Sequence, residues 1–357
     1  MRYISADHLI EGMILGKPLY GHRGELMLER GMILSNSVIL RIQKLQYSGL
    51  YIEDEFSEGI EVKDVISDEL RNKMSKTVRS LMTNVEFNRD ADFRKDMASI
   101  KQLLELLVDD VMSSDSVIFN IIDMKQFDLY TYQHSVNVCV LACVVGKVCE
   151  MSRKQLYNLA SAAILHDIGK LLIDKKLLNK PGKFTPEEFE IMKKHSMLGY
   201  ECIRQKCQLP HTVAISILQH HEKFNGNGYP FGRREDEITR YAQIISIADV
   251  YDAITSKRPY NEPLLPSEAY EYILGNSDQA FKGEIVNIFT KKIAPFPLGL
   301  HVQLSNGLEG IVYKNYEDCM TRPLIKLKPL PGQSGENYID LKNDTSAYNI
   351  TIQKVFA

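Results

Sequence analysis

Ile164-Leu165-His166-Asp167-Ile168-Gly169-Lys170 decides how this chain reads. It sets a histidine beside an aspartate at the end of an apolar helical run. Glycine then breaks the helix and a lysine follows. A neutral imidazole and a carboxylate are good ligands for a transition metal, and the two oxygens of one Asp can bridge two metals. The dipeptide by itself is more often a helix cap next to a surface group, so its surroundings carry the argument.

Working outward, six of the nine histidines (His134, His166, His195, His211, His220 and His221) lie between positions 134 and 221, where even scatter would leave about two. Their places sharpen the signal. His134 lies in the first turns of a helix expected from Asp128 to Cys149, and His166-Asp167 ends the next, Ser152 to His166. Thr185-Pro186-Glu187-Glu188 is a helix start, with Thr as N-cap, Pro at the first position and Glu188 closing a capping box. It opens a helix to Lys206 that carries His195. His220-His221 ends the helix from Pro210, just before a Gly-rich loop. Adjacent helical residues point about 100° apart, so this pair can meet one metal only at a helix end. Asp249 sits in Ile244-Ile245-Ser246-Ile247-Ala248-Asp249-Val250, inside a helix from Thr239 to Ser256. Buried and unpaired, it would cost several kcal/mol or be protonated. It could be an N-cap or pair with an Arg, but a cation satisfies it best.

Helices that converge imidazoles and carboxylates on one core build di-metal sites. Mixed His/Asp ligands suit iron, manganese or zinc. Two such ions, roughly 3.5–4 Å apart, suit phosphoester hydrolysis, holding a bridging hydroxide as nucleophile and stabilising the developing charge.

The rest of the chain frames this core. Residues 1–60 read as a small, separate α+β regulatory or docking unit. It has short strands at Met13 to Gly16 and Leu26 to Leu28, a helix capped by Ser35-Asn36-Ser37, and a last strand at Leu50-Tyr51-Ile52. Residues 61–115 hold connecting amphipathic helices. One carries Val65, Leu70, Met74, Val78 and Leu81 on one face, the other Phe93, Met97, Ile100, Leu103, Leu104 and Leu107. These stripes pack a bundle or form a homodimer seam. Residues 116–296 form the helical domain. From 297 to 357 the texture turns to strands, with Asn306-Gly307 as a hairpin turn and further strands at Leu324 to Lys328 and Tyr348 to Ile352. The fold class is mainly α, a helical metallophosphohydrolase bundle flanked by the two small units.

Composition narrows the function. A net charge of −3 over 357 residues gives no bulk field for DNA or anionic lipid. The six cysteines form no CxxC pair, and Cys139, Cys143, Cys149, Cys202 and Cys207 read as reduced core residues rather than ligands. The start carries no signal peptide. The longest apolar run, Val138 to Gly146, is too short to span a bilayer. The expected location is cytoplasmic.

Five stretches together resemble the HD-GYP domain across about half the chain. They are Tyr132-Gln133-His134-Ser135, the His166 to Lys170 motif, His195, His220-His221-Glu222 through Gly228-Tyr229-Pro230, and Ile247-Ala248-Asp249-Val250-Tyr251-Asp252-Ala253 through Arg258-Pro259-Tyr260. The resemblance implies a cyclic di-GMP phosphodiesterase with two divalent metal ions, usually iron or manganese, and no organic cofactor. One metal would take His134, His166, Asp167 and Asp249. The other would take Asp167, His195, His220 and His221. Lys170 would contact the scissile phosphate and protonate the leaving oxygen, with Asp167 as the bridging catalytic carboxylate. Arg258, Tyr229 and Asp252 would bind substrate. The Gly-Tyr-Pro loop would be open to a protein partner.

Three positions depart from the family. Tyr130 stands where trinuclear members carry a glutamate, which favours two metals. Asn261 replaces an often basic residue, and Asn225 an Asp. The product would be pGpG, with onward cleavage to GMP left open. The alternatives are a non-catalytic cyclic-dinucleotide-binding module and an enzyme for a related substrate such as cyclic GMP-AMP.

Overall fold

The computed structural model describes the chain except residues 22–24, 46, 115–129, 257–262, 330–336 and 357. At the front lie β1 (Arg2–Ser5), β2 (Ile14–Leu15), β3 (Leu19–Tyr20), β4 (Leu26–Leu28), α1 (Asn36–Lys44) and β5 (Gly49–Glu53). β5 is central in an antiparallel sheet of order β1-β5-β2. Side chains alternate across a strand, and the pairs Tyr3–Tyr51 and Ile4–Leu50 follow that rule. Ile4, Leu50 and Ile52 face an inner cluster with Leu15, Leu19, Leu34, Ile39 and Ile42. The tyrosines face the other way.

Two long helices come next, α2 (Asp68–Glu86), capped by Ser67, and α3 (Asp90–Ser113). Their apolar stripes are used at home. Leu70, Met74, Val78, Leu81, Phe93, Ile100, Leu104 and Leu107 are buried in the same cluster as the helices that follow. Bundle packing therefore decides between the two readings of these stripes, and these faces are not open to a second copy.

That cluster centres on α4 (Tyr130–Val148), α5 (Arg153–Leu165) and α10 (Arg240–Thr255). α4 and α10 are apolar on nearly all sides, so they can only be stable inside. Polar side chains on them therefore stand out. Around them pack α6 (Lys175–Leu178), α7 (Pro186–Lys193), α8 (His195–Lys206), α9 (His211–Gln219), α11 (Pro266–Gly275) and α12 (Gly283–Thr290). The capping box expected at Thr185 forms, and the structure shows a second at Ser152. The single helix expected from Thr185 to Lys206 is instead two, stepping at Lys194. There the His195 ring takes the Met192 carbonyl at 2.8 Å, a group that an unbroken helix keeps for its own backbone. Cys139 and Cys143 are fully buried in the core, and Cys139 Sγ donates to the Ala160 carbonyl.

The chain closes on an antiparallel sheet of order β10-β6-β7-β8-β9. Its strands are β6 (His301–Leu304), β7 (Glu309–Lys314), β8 (Leu324–Leu327), β9 (Tyr338–Asp340) and β10 (Ile352–Phe356). The β6–β7 hairpin turns at Asn306-Gly307, with Gly307 at φ +85°. The strand expected at Tyr348 to Ile352 starts only at Ile352. Asp344 caps a short 3-10 turn over Thr345–Ala347, and the Ile350 amide that follows donates back to the Ala347 carbonyl at 2.9 Å, a turn bond and not a strand pairing. The front unit does not stand apart. Tyr3 and Tyr51 share a core with Leu300, Val302, Leu304, Ile311 and Ile325, and the Tyr3 amide donates to the Gly299 carbonyl. Among the described residues, no helix is long and apolar enough to cross a membrane.

Candidate metal centre

Helix ends supply most of the centre. His166 follows α5, His220 follows α9, and His195 opens α8. In each, Nδ1 lies on the backbone carbonyl three residues back: Ala163 at 2.7 Å, Ile217 at 2.6 Å and Met192 at 2.8 Å. A carbonyl can only accept, so Nδ1 carries the proton and Nε2 keeps its lone pair. The same bond fixes the ring direction, as in metal-ligating histidines generally. The three rings meet edge to face. Centroids lie 5.1 Å apart for His166 and His220, and 5.3 Å for His195 and His220.

Asp167 stands between the rings. Its Oδ2 lies 3.4 Å from His166 Nε2 and 3.6 Å from His134 Nε2. Its Oδ1 lies 3.6 Å from His195 Nε2 and 3.9 Å from His220 Nε2. Burial opposes its charge, but Lys170 and the neighbouring His166 hold the carboxyl well below the usual carboxylate range. Lys170 Nζ sits 2.6 Å from Oδ2, on a 3-10 turn over Ile168–Leu172, with its end partly open to solvent.

His134 comes from α4 and meets α10. Its Nε2 lies 3.1 Å from Asp249 Oδ1, and its Nδ1 lies 2.8 Å from Asp252 Oδ2. Burial opposes a charged ring, yet the two carboxylates outweigh it and raise the pKa to about 9. His195, His220 and His221 move the other way. Burial, then Lys170, takes His195 down to about 4, and burial takes His221 to about 3. Burial and His221 hold His220 well below the ordinary histidine value. These three stay neutral at pH 7, the form that binds a metal.

All seven sequence-predicted ligands therefore converge. Asp167, His195, His220 and His221 present donor atoms within 4.8 Å of one another, and so do His134, His166 and Asp167. A third such group, His166, His220 and Asp249, joins the two. Among the described residues, His166 Nε2 and Asp167 Oδ1 are buried with no hydrogen-bond partner. Buried polar atoms left so are costly, and a cation at this point satisfies both. The donor set, imidazole and carboxylate, fits a divalent transition metal.

The substrate-side expectations fare unevenly. The Tyr229 ring packs 4.7 Å from His221 and 6.3 Å from His195, roofing this corner of the cluster. Asp252 is a correction: it is fully buried and holds His134 Nδ1 and Asn137 Nδ2, so it orients a ligand and does not face substrate. Arg258 lies outside the described residues.

The structure adds contacts that the sequence reading did not specify. Buried Glu222 accepts the amides of Phe231 (2.8 Å) and Arg233 (2.9 Å), fixing the loop after Tyr229. Gly228 lets the loop backbone pass Glu222, whose Cα would lie 2.4 Å from any Cβ there. Gly169, read as a helix breaker, is a close-packing residue: a Cβ would meet the His195 carbonyl oxygen at 1.9 Å. His134 with Asn137, and Asp249 with Asp252, are i, i+3 pairs on facing helices. That spacing was a usable signal for Asn137 and Asp252.

Residues 116–285 match the HD domain family model. This stretch of the chain is therefore similar to an HD domain. The chain has named relatives. A Pseudomonas aeruginosa protein named cyclic di-GMP phosphodiesterase PA4108 is 30% identical over 264 residues, covering 73% of this chain and 64% of that protein. A Vibrio cholerae protein named 3'3'-cGAMP-specific phosphodiesterase 2 is 29% identical over 187 residues, covering 52% and 36%. The chain thus spans less than two thirds of the length of either relative. Among solved structures, Bd1817, an HDG"Y"P protein from Bdellovibrio bacteriovorus, superposes with a TM-score of 0.53 at 18% identity, over 81% of this chain and 97% of that one. That likeness concerns the fold.

Proposed function

We propose that this protein is a metal-dependent phosphodiesterase that hydrolyses cyclic di-GMP to pGpG. Asp167 carries the reading. One buried carboxylate turns one oxygen to His134 and His166 and the other to His195 and His220, all within 3.4–3.9 Å. That arrangement suits a ligand shared by two cations, with Asp249 completing one set and His221 the other. Iron or manganese are the metals proposed. When bound, they supply Lewis acidity and charge neutralisation for phosphoester hydrolysis.

The chain's own residues do the rest. His166, His195 and His220 present fixed Nε2 donors without reorganisation, because their Nδ1 protons are already committed to carbonyls. Lys170 reaches the scissile phosphate from beside Asp167 and donates a proton to the leaving oxygen. Tyr229 covers the His221 side and excludes water there. The names of the relatives support the substrate class.

The test is a purified chain loaded separately with Fe(II) and Mn(II) under reducing conditions, with the nucleotide products separated by chromatography. Intact cyclic di-GMP with both metals defeats the proposal. Tight nucleotide binding without turnover would make the chain a sensor instead. Asp167→Ala should empty the site and abolish turnover, whereas Lys170→Ala should slow turnover at unchanged metal content. A second substrate, 3'3'-cGAMP, is favoured by the near-equal identity to the Vibrio cholerae relative, and competition kinetics between the two nucleotides decides it.

A further inference from the structure

Helix α2 lies outside the stretch that matches the HD domain, yet it reaches the metal centre. Arg71 Nη1 donates to Asn137 Oδ1 at 2.7 Å. Asn137 Nδ2 donates to Asp252 Oδ1 at 3.0 Å, and the other oxygen of Asp252 lies 2.8 Å from His134 Nδ1. His134 Nε2 then faces Asp249 and Asp167. The order of groups leaves the amide one orientation. A guanidinium only donates and a carboxylate only accepts, so Arg71 claims the amide oxygen and Asp252 the amide nitrogen. Without Arg71, Asp252 alone holds the amide, so Asn137 is anchored by one bond of this line instead of two. An Asn137 side chain that turned away from Asp252 Oδ1 would loosen the grip of that carboxylate on His134.

The same end of α2 is also held from the front unit. Lys17, on the front unit, pairs with Asp64 Oδ2 at 2.8 Å, just before the helix begins, and its ammonium lies 4.8 Å from the centre of the Tyr51 ring. One helix start is therefore tied to the N-terminal sheet on one side and to a metal ligand on the other.

We propose that Arg71 and Asn137 form a positioning link through which the placement of the α2–α3 hairpin sets metal occupancy at His134. The proposal rests on the metal reading above and adds a regulatory input from outside the HD domain. Movement of the hairpin by a partner or ligand of the front unit would lengthen the Arg71–Asn137 bond and lower metal affinity, without any contact to the substrate.

The test measures Mn(II) affinity of the full chain by competition with a fluorescent chelator, alongside far-UV circular dichroism and urea unfolding. Arg71→Met removes the guanidinium and keeps the aliphatic stem. It should lower affinity about tenfold, as loss of an outer hydrogen-bond partner does elsewhere, with the helical signal retained. Arg71→Lys, which can still donate to Asn137 Oδ1, should recover most of it. The double variant Arg71→Met/Asn137→Ser should fall no further than Asn137→Ser alone, because the two residues act in series. A purely structural role would move the urea midpoint and leave the affinity of the folded protein alone. A folded Arg71→Met protein within twofold of the parent overturns the link. If that variant does not fold, a folded Asn137→Ser protein with parental affinity overturns it equally. A parent chain that leaves cyclic di-GMP intact while its Mn(II) affinity depends on Arg71 sinks the phosphodiesterase reading alone. Normal turnover with affinity indifferent to both residues sinks this inference alone.

Discussion

Replacing Gly169 by alanine puts a methyl group where backbone atoms already are. The new Cβ would lie 1.9 Å from the His195 carbonyl oxygen, 2.5 Å from the Gly199 amide nitrogen and 2.9 Å from the His195 carbonyl carbon. None of these is the tip of a flexible side chain. Restoring an ordinary contact near 3.4 Å requires α8 to move by about 1.5 Å relative to the Ile168–Leu172 turn. His195 begins α8 and Asp167 immediately precedes the turn, so the shift falls on their 3.6 Å approach. Overpacking of this kind costs about 3 kcal/mol, and a displacement near 1 Å at a reacting centre costs about 100-fold in rate. Gly169→Ala should therefore unfold at lower urea, hold less metal and lose nearly all turnover. Gly275→Ala, with nothing within 4 Å of its new methyl, serves as the control and should stay within about 0.5 kcal/mol of the parent. Parental urea midpoint and parental metal content in Gly169→Ala would refute the packing argument.

Three further outcomes can be checked. Glu222→Gln leaves only one acceptor for the Phe231 and Arg233 amides, so it should cost about 1–3 kcal/mol locally; hydrogen exchange over residues 226–234 should accelerate while exchange in α4 stays slow. In the presence of chelator, stability should fall as pH drops from 6.5 towards 4. The unfolded chain takes protons on His195 and His221 there, whereas the folded chain, with values of about 4 and 3, does not. It should also fall as pH rises towards 9, because His134, raised to about 9, contributes stability that is complete below 6.5 and is lost above. A urea midpoint that climbs on acidification from pH 6.5 to 5 would contradict this. Added Mn(II) at about 100 times its Kd should stabilise the fold by about 2.7 kcal/mol, an effect that Asp167→Ala should abolish in thermal melts.

Most of the ligands were legible because they sit where a helix starts or stops, and those positions follow from caps, glycines and prolines near in sequence; Asp249, inside α10, was legible as a lone carboxylate in an apolar run. The stripes of α2 and α3 were legible as periodicity, but their burial against α4 and α5 was not, since a stripe does not name its partner. The roles of Asp252 and Gly169 depend on which helix faces which, and the contact of Gly169 with His195 joins residues that no local pattern relates. Arg71 carried no signal at all: one arginine on a charged helix face looks like any other. β1 was missed because four residues of modest strand preference become a strand only by pairing with β5. The break at Lys194 is set by an imidazole reaching back to a carbonyl, a competition that propensity does not register.

The aromatic face of the front sheet, Tyr3 and Tyr51, is covered by Leu300, Val302 and Ile311. On a ribosome adding roughly 5–20 residues per second, about 300 residues separate the birth of the first tyrosine from that of its cover, so the face waits for some 15–60 s. Through that interval the nascent front sheet offers a sticky surface to chaperones or to neighbouring chains on the same messenger. Expression trials that slow elongation over the second half of the gene should raise the insoluble fraction, and a design that trims the last sixty residues will strand the opening strands without a roof.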